Sequence, residues 1–292
     1  MPVSSKRLAT FLLLASALIW GSSFILIKKG LLVFNATQVG LLRITFAMLA
    51  LLPLALYSFK QYYRGRLLKL TVAGISGNLL PALLFATAQT HLDSGVTGVL
   101  NALTPLFTML VGVILFNYRF IPRQLLGLII GLTGATLISF IGKSGSWESF
   151  NYYSLLVLAA SFLYGFNVNW IKRFLSDMPS KNLTALSLFL MGVPAMIMLF
   201  FGDFVTRMET VPGAWTALGY LAILGVVNTA LALVLFFRLL QIANPVTTSS
   251  VTYIIPVIAL VIGFLDGEAL GWLHILGMGL ILGGVIIINR SE

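Results

Sequence analysis

Polar side chains recur at helical spacing inside a long apolar stretch of the chain. Residues 94–116 carry Ser94, Thr97, Asn101, Thr104 and Thr108, and steps of three and four residues place them on one helical face. Such a face would either line a cavity for a small ligand or bond to a neighbouring helix, where each hydroxyl contributes about 0.6 kcal/mol. Asn101 is the strongest ligand-binding candidate of the five.

Amide side chains inside other apolar stretches extend this group of candidates. Asn78 and Gln89 share a helical face within residues 68–90, and Asn228 lies inside residues 214–237. Each amide would bond either to a ligand or to a neighbouring helix. The three residues are therefore predicted to be buried, with ligand binding and helix packing as the two alternatives.

Two aromatic residues lie in line with polar residues on their own stretches. Trp20 lies in line with Ser16 and Ser23, and Tyr164 with Ser161 and Asn167. Facing each other across a cavity, Trp20 and Tyr164 would suit an apolar or aromatic ligand side chain. Ordinary aromatic packing is the alternative for each ring.

Arg43 is the one charged residue placed well inside an apolar stretch. It lies about seven residues into residues 36–58, or roughly 10 Å along a helix. Placing arginine at such a depth costs about 2.5–3.5 kcal/mol, so an arginine found there is a candidate functional residue. It would bind a carboxylate or phosphate, or it would have a structural role by bonding to backbone carbonyls.

Several kinds of chemistry lack the residues they need. The chain has no cysteine, and His91 and His274 are too few and too scattered for a metal site. No aspartate or glutamate lies inside any apolar stretch, so an intramembrane enzyme lacks a nucleophile and base. The missing carboxylates also favour facilitated diffusion or exchange over proton coupling, and coupling through a peripheral acid such as Glu268 or Asp93 is the alternative.

The elements that position these residues are apolar stretches long enough to cross a bilayer. The 292 residues are 59% hydrophobic and 9% charged, and a crossing helix needs about 20 apolar residues. Ten stretches qualify, which predicts an all-α integral membrane protein with ten transmembrane helices. They are 8–28, 36–58, 68–90, 94–116, 123–141, 152–171, 182–202, 214–237, 245–265 and 271–289.

The sequence contains an internal repeat of about half its length. Trp20 and Tyr164 correspond at an offset of 144 residues, as do Gly21 and Gly165 and also Lys28 and Lys172. Asn101 corresponds to Thr252, next to Tyr253, and Pro105 to Pro256, at an offset of 151. We therefore predict two five-helix repeats, residues 1–145 and 146–292. Each paired proline should kink its helix, and Thr252 and Tyr253 join the ligand-binding candidates.

Small residues in the fifth and tenth stretches predict close helix contacts. Gly127 and Gly131 are four residues apart, as are Gly279 and Gly283, and Gly127 corresponds to Gly277 and Gly134 to Gly284. Glycine at a four-residue spacing lets helix backbones approach closely.

The charge distribution predicts the orientation. With the N-terminus inside, 13 of the 18 basic residues lie on the inner side and 6 of the 8 acidic residues lie on the outer side. The net charge of +10 is therefore explained by topology and requires no nucleic acid. Five helices per repeat is an odd number, so the repeats should be inverted. That construction is typical of secondary transporters with a site near the bilayer midplane.

The repeats resemble the EamA-type, ten-span branch of the drug/metabolite transporter superfamily. The resemblance is carried by WGSSFILIKKG at 20–30, LLRITFAMLALLP at 41–53, LNALTPLFTMLVGVILF at 100–116 and YIIPVIALVIGFLDGEALGWLHILGMGLILGGVIII at 253–288. It covers nearly the whole chain. One departure is that Glu268 matches the family pattern, whereas the corresponding position in the first half is Asn117.

Together these observations predict an exporter of small organic metabolites that works by alternating access, with amino acids as the leading substrate class. A broad-specificity drug exporter, proton-coupled or not, is the alternative, and a channel-like pore is a third option that inverted halves disfavour. The charge distribution predicts that both termini are cytoplasmic, and the resemblance implies an inner-membrane location. We expect the bilayer and a small-molecule substrate as partners, a monomer or weak dimer, and no cofactor or metal.

Overall fold

The computed structural model describes residues 3–62, 64–118, 122–141, 147–242 and 251–289, and the described chain is helical without a strand. This confirms the all-helical prediction. Seven helical stretches are long and apolar enough to cross a membrane, and three shorter apolar helices lie at 125–139, 254–265 and 272–287. The number of ten crossings stays a prediction.

Within the described ranges the helices form ten segments in chain order, and a short helix, Phe204–Thr210, joins segments 7 and 8. They are segment 1 (Val3–Gly21 and Ser23–Leu31), segment 2 (Ala36–Tyr62), segment 3 (Leu67–Gly74, Ile75–Leu79 and Leu80–Ala88), segment 4 (Ser94–Asn101 and Thr104–Phe116), segment 5 (Pro122–Ser139), segment 6 (Ser154–Phe174), segment 7 (Ser180–Leu199), segment 8 (Ala214–Gly225, Val226–Leu231 and Ala232–Ile242), segment 9 (Val251–Leu265) and segment 10 (Trp272–Asn289).

Irregular turns fall at corresponding places in the two halves. Ile75–Leu79 and Val226–Leu231 are π-helical, and they coincide at the 151-residue offset. Segment 4 is interrupted just before Pro105, as predicted from that proline. Segment 9, in contrast, continues as helix through Pro256, so the two prolines do not act alike.

Glycine contacts reveal a two-fold relation between segments 5 and 10. A Cβ placed on Gly134 would lie 2.7 Å from the carbonyl oxygen of Gly277, and one placed on Gly284 would lie 2.5 Å from that of Gly127. Gly127 and Gly277 are repeat partners, and so are Gly134 and Gly284. Each contact is thus the counterpart of the other, as a two-fold axis requires. The GxxxG expectation is wrong for Gly279 and Gly283, which face open space.

The same relation holds where segment 1 meets segment 9 and where segment 6 meets segment 4. A Cβ on Gly21 would lie 2.6 Å from Ile258, and a Cβ on its repeat partner Gly165 would lie 2.6 Å from the backbone nitrogen of Thr108. Segments 2 and 7 cross at the repeat partners Met48 and Gly192, where the added Cβ would lie 2.2 Å from Met48. The axis therefore passes close to this crossing.

Repeat-related helices run in opposite directions through the bundle. Segment 4 begins where segment 9 ends, because the backbone N–H groups of Ser94 and Gly95 donate to Glu268, just after segment 9. Segment 1 ends at the same side, because Lys28 pairs with Glu268. Segment 6 begins there as well, because the ring of Tyr153 stacks on that of His91, just after segment 3, with centroids 3.7 Å apart. This is the arrangement that inverted repeats require. We call the side where segment 1 begins the N-terminal face and the opposite side the distal face.

We predict that alanine destabilises the protein at one glycine of the segment 5–10 pair and has little effect at another. Gly134→Ala should destabilise the protein by about 1–3 kcal/mol, because the added methyl meets backbone atoms that cannot move aside. Gly279→Ala, the matched control, should leave stability nearly unchanged because its site is open. Thermal unfolding in detergent measures both, and equal melting temperatures would contradict the two-fold contact.

Candidate functional site

A polar cleft lies in the half of the bundle nearest the N-terminal face. Its walls come from segments 3, 6, 7 and 8, and its polar lining is formed by Asn78, Asn167, Thr184 and Ser187. Ala73, Ile171, Leu183 and Leu233 supply the apolar part. Neither a carboxylate nor a cation lines this cleft among the described residues. We call it the N-terminal cleft.

The π-helical turn of segment 3 positions the polar groups of the cleft. Asn78 lies within this turn and its Nδ2 donates to Ser187 Oγ at 3.4 Å. Ser76 Oγ donates to Asn167 Oδ1 at 3.3 Å. A Cβ on Gly77 would lie 2.1 Å from Asn167 Nδ2, so glycine at this position gives the asparagine its place. The cleft thus contains amide and hydroxyl groups whose positions are fixed by the backbone of this turn.

Arg43 lies in the other half of the bundle, towards the distal face, and is 9% exposed. Its Nε donates to Thr229 Oγ1 at 2.8 Å, and its guanidinium lies close enough to the Tyr164 hydroxyl to interact with it electrostatically. The Tyr164 ring in turn stacks on Phe85 with centroids 5.9 Å apart. The structure therefore brings together two of the predicted residues, Arg43 and Tyr164, and adds Thr229.

The Arg43–Thr229 bond is the repeat counterpart of the Ser187–Asn78 bond. Arg43 corresponds to Ser187 at the 144-residue offset, and Asn78 corresponds to Thr229 at the 151-residue offset. The glycines beside them agree, because a Cβ on Gly225 would lie 2.7 Å from the Arg43 carbonyl and one on Gly74 would lie 2.9 Å from the Ser187 carbonyl. One geometry therefore occurs twice, once with a cation and once with a hydroxyl.

A cluster of charges, which we call the distal lock, joins the two halves at the distal face. Glu268 accepts hydrogen bonds from Ser94 N, Ser94 Oγ and Gly95 N at 3.0, 2.6 and 2.9 Å, at the start of segment 4. Lys28 lies 2.9 Å from Glu268 and 2.8 Å from Asp266, which also pairs with Lys29. The Glu268 side chain is only 6% exposed. Its carboxylate thus caps a helix N-terminus, where negative charge is favoured.

The surroundings of Glu268 keep it ionised. Burial alone would raise the pKa of Glu268, but hydrogen bonds from the Ser94 hydroxyl, Lys28 and the backbone N–H groups of Gly95 and Ser94 outweigh it, so the pKa lies below its ordinary value. Gly267, with φ of +86°, forms the turn that presents Glu268.

The repeat partners of the lock residues carry less charge. Lys28 corresponds to Lys172, which lies 5.4 Å from the Tyr118 ring centroid, and Glu268 corresponds to Asn117. Ser94 corresponds to Pro245, which lies outside the described residues. A charged lock is therefore built at the distal face, and its counterpart at the N-terminal face lacks the glutamate.

The remaining predicted site residues lie apart from the cleft. Asn228 is buried and donates through Nδ2 to the Ile19 carbonyl and, at 3.0 Å, to Ser22 Oγ, linking segments 8 and 1. Trp20 packs against Phe236 with centroids 4.8 Å apart, so Trp20 and Tyr164 each face a phenylalanine. Gln89 is 7% exposed, and neither amide atom has a hydrogen-bond partner in the described structure.

The threonines on the polar face of segment 4 form hydrogen bonds within their own segment. Asn101 is half-buried at the break in the segment, where Thr104 Oγ1 donates to its carbonyl at 2.8 Å. Thr97 and Thr108 likewise donate to carbonyls one turn back, and Ser94 belongs to the distal lock. Thr252 is half-buried on segment 9, and the side chain of Tyr253 lies outside the described residues.

Sequence reasoning missed Thr184, Ser187 and Thr229, although a signal for two of them was present. Carrying the repeat register from Arg43 to Ser187, and from Asn78 to Thr229, would have selected both pairs. Ser187 is uncharged, so its residue type alone does not mark it as the counterpart of a buried arginine.

The sequence profile of the EamA-like transporter family matches twice, at residues 7–140 and 151–290. The chain belongs to this family. The resemblance seen in the sequence is thereby confirmed, and the two matches cover both halves. The protein is therefore a polytopic membrane transporter, a class that is generally not enzymatic.

Individual relatives of this EamA-family protein agree over nearly its full length. It is 26% identical to the uncharacterized inner membrane transporter YedA of Escherichia coli strain K12, over 96% of this chain and 90% of the relative. It is also 26% identical to a probable terminal-alkyne amino-acid exporter of Streptantibioticus cattleyicolor, over 97% and 93%. A solved crystal structure with 16% identity superposes at a TM-score of 0.65, covering 96% of this chain and 95% of the other, and shows the fold alone.

We predict that Glu268→Gln opens the distal face. The amide removes one of the two negative charges that hold Lys28 and places an N–H group against the donors of Ser94 and Gly95. A single cysteine at Ser23, buried in segment 1, should then react several-fold faster with a membrane-impermeant maleimide applied at the distal face. Asp177→Asn, which removes an exposed carboxylate paired with Arg66, is the matched control. Unchanged labelling in Glu268→Gln would contradict the lock.

The stabilisation from ionised Glu268 should depend on pH in one direction. Because its pKa is lowered on folding, the stabilisation is complete above the ordinary glutamate value of about 4.3 and is lost as the pH falls through the lowered value. The melting-temperature difference between the native chain and Glu268→Gln should stay constant from about pH 8 to 5.5 and shrink below about pH 4. A difference that disappears near pH 6 would refute this assignment.

Proposed function

We propose that this EamA-family transporter exports small organic metabolites, with amino acids as the leading class, by alternating access. The observation that carries the proposal is the pair of equivalent sites related by a two-fold axis. One site lines a cleft and the other is closed beneath the distal lock. A carrier made of inverted halves exchanges such arrangements to move a substrate across the bilayer.

The chemistry of the N-terminal cleft favours a polar substrate of low charge on that side. Asn78, Asn167, Thr184 and Ser187 offer donors and acceptors, while Ile171 and Leu233 offer apolar surface. Amino acids fit such a mixture, and one relative is named as a probable amino-acid exporter. Arg43, Tyr164, Trp20 and the remaining predicted residues stay proposed contributors to substrate binding.

Transport is proposed to be facilitative or by exchange. Within the segments that the structure describes, no aspartate or glutamate occurs, so they offer no carboxylate to lose a proton on substrate binding. The peripheral acid Glu268 has a lowered pKa and stays ionised at ordinary pH. The protein is proposed to cross the inner membrane ten times with both termini cytoplasmic, as a monomer or weak dimer, so the N-terminal cleft receives substrate from the cytoplasm.

A broad-specificity drug exporter is the second proposal. It is favoured by the apolar share of the cleft and by the neutral character of its polar groups. Proton coupling through a peripheral acid belongs to this alternative.

The decisive experiment is uptake of a labelled amino-acid panel, and of labelled drug-like cations, into proteoliposomes with and without an imposed pH gradient. Saturable uptake of one chemical group of amino acids, unaffected by the gradient, is the expected result. Uptake of drug-like cations alone would favour the second proposal. Uptake that requires the gradient would contradict facilitative transport.

We predict that Asn78→Ala reduces transport about tenfold at low substrate concentration, the effect of losing about one hydrogen bond to the substrate. Thr136→Ala is the matched control, because Thr136 is exposed on segment 5 and bonds to its own helix. Asn78→Ala should match the native chain in expression and melting temperature. Transport equal to that of Thr136→Ala would remove Asn78 from the binding site.

A further inference from the structure

The repeat register assigns polar counterparts to three of the four polar residues of the N-terminal cleft. Asn78 and Ser187 correspond to Thr229 and Arg43, Gly77 corresponds to Asn228, and Asn167 corresponds to Ser23. The register is anchored by contacts that occur in both halves, notably those of Gly74 and Gly225 with the carbonyls of Ser187 and Arg43. The counterparts therefore outline a second cleft in the distal half of the bundle.

In this structure the distal counterparts are closed on one another. Thr229, Asn228 and Ser23 are 3%, 1% and 5% exposed, and Arg43 is 9% exposed. Asn228 bonds to Ser22 beside Ser23, and Arg43 bonds to Thr229. The distal lock lies beyond them at the end of segment 1. These side chains form the closed state of the cleft that their partners form in the N-terminal half.

The two clefts differ in charge at one position. Arg43 stands where the N-terminal cleft has Ser187. It donates to the hydroxyl of Thr229 and lies near the hydroxyl of Tyr164. None of the ion pairs among the described residues includes Arg43. Hydroxyls satisfy hydrogen bonds of a buried guanidinium but leave its charge uncompensated, which is costly in a low-dielectric interior. A carboxylate supplies the missing charge with bidentate geometry.

We propose that Arg43, Thr229, Asn228 and Ser23 form a second, anion-selective cleft that opens to the distal face when the distal lock separates. The group it binds is a small anion on the substrate, of the carboxylate class. The cleft at the N-terminal face is neutral and makes no such selection. The proposal rests on the alternating access proposed above and assigns Arg43 to one of its two states.

Charged thiol reagents provide a probe that does not require the substrate. The chain has no cysteine, so Ser23→Cys and Thr184→Cys each place a single thiol, in the distal and N-terminal clefts respectively. Each is treated from its own face with an anionic sulfonatoethyl and a cationic trimethylammonioethyl methanethiosulfonate. Rates are divided by those of a free thiol, which removes the intrinsic difference between the reagents.

The expected result is a preference of about tenfold for the anionic reagent at Ser23→Cys and none at Thr184→Cys. Arg43→Ser should abolish the preference and Arg43→Lys should keep it, which separates loss of charge from misfolding. The double change Arg43→Ser with Ser187→Arg should move the preference to Thr184→Cys.

Two outcomes would overturn the proposal. One is a reactive Ser23→Cys thiol without anion preference while Arg43 is present, and the other is a thiol that no reagent reaches from the distal face. The proteoliposome uptake assay judges the transport function separately. Saturable uptake together with no charge preference would refute this cleft and leave the transport function standing.

Discussion

The structure depends on close backbone contact between helices of opposite halves. Lipid tails are as apolar as the side chains they touch, so the hydrophobic effect does little to hold membrane helices together and tight packing must do so. Glycines supply this contact in related pairs: Gly134 with Gly277, Gly284 with Gly127, and Gly74 and Gly225 against the carbonyls of Ser187 and Arg43. The same contacts fix the register that relates the two halves.

The two halves share these glycine contacts but differ in the charged residues at two corresponding positions. Arg43 faces Thr229 where its counterpart Ser187 faces Asn78, and Glu268 caps segment 4 where its counterpart is Asn117. Both charged members act in the distal half of the bundle. A carrier with identical halves would have equal energies in its two states, whereas these substitutions make the distal closure distinct from the N-terminal one.

Much of this organisation was predictable from the sequence, because repetition and apolar length are properties of the chain alone. The helical class, the family and the correspondence of Gly127 with Gly277 in the two repeats were predicted in this way. The two π-helical turns were not, since nothing local distinguishes ISGNL from regular helix. The contact of Arg43 with Tyr164 joins residues far apart in sequence, and Gly279 and Gly283 misled because spacing does not reveal which face meets a neighbour.

Alternating access is tested most directly by measuring transport through a protein whose distal lock is held closed by a covalent bridge. Cysteines at Lys28 and Asp266, whose charged groups lie 2.8 Å apart, are bridged with a short reducible bifunctional thiol reagent in proteoliposomes. Bridging is expected to stop uptake and reduction to restore it, while either single-cysteine variant treated alike continues to transport. Undiminished uptake by the bridged protein would show that the distal face need not open, and alternating access between the two clefts would be wrong.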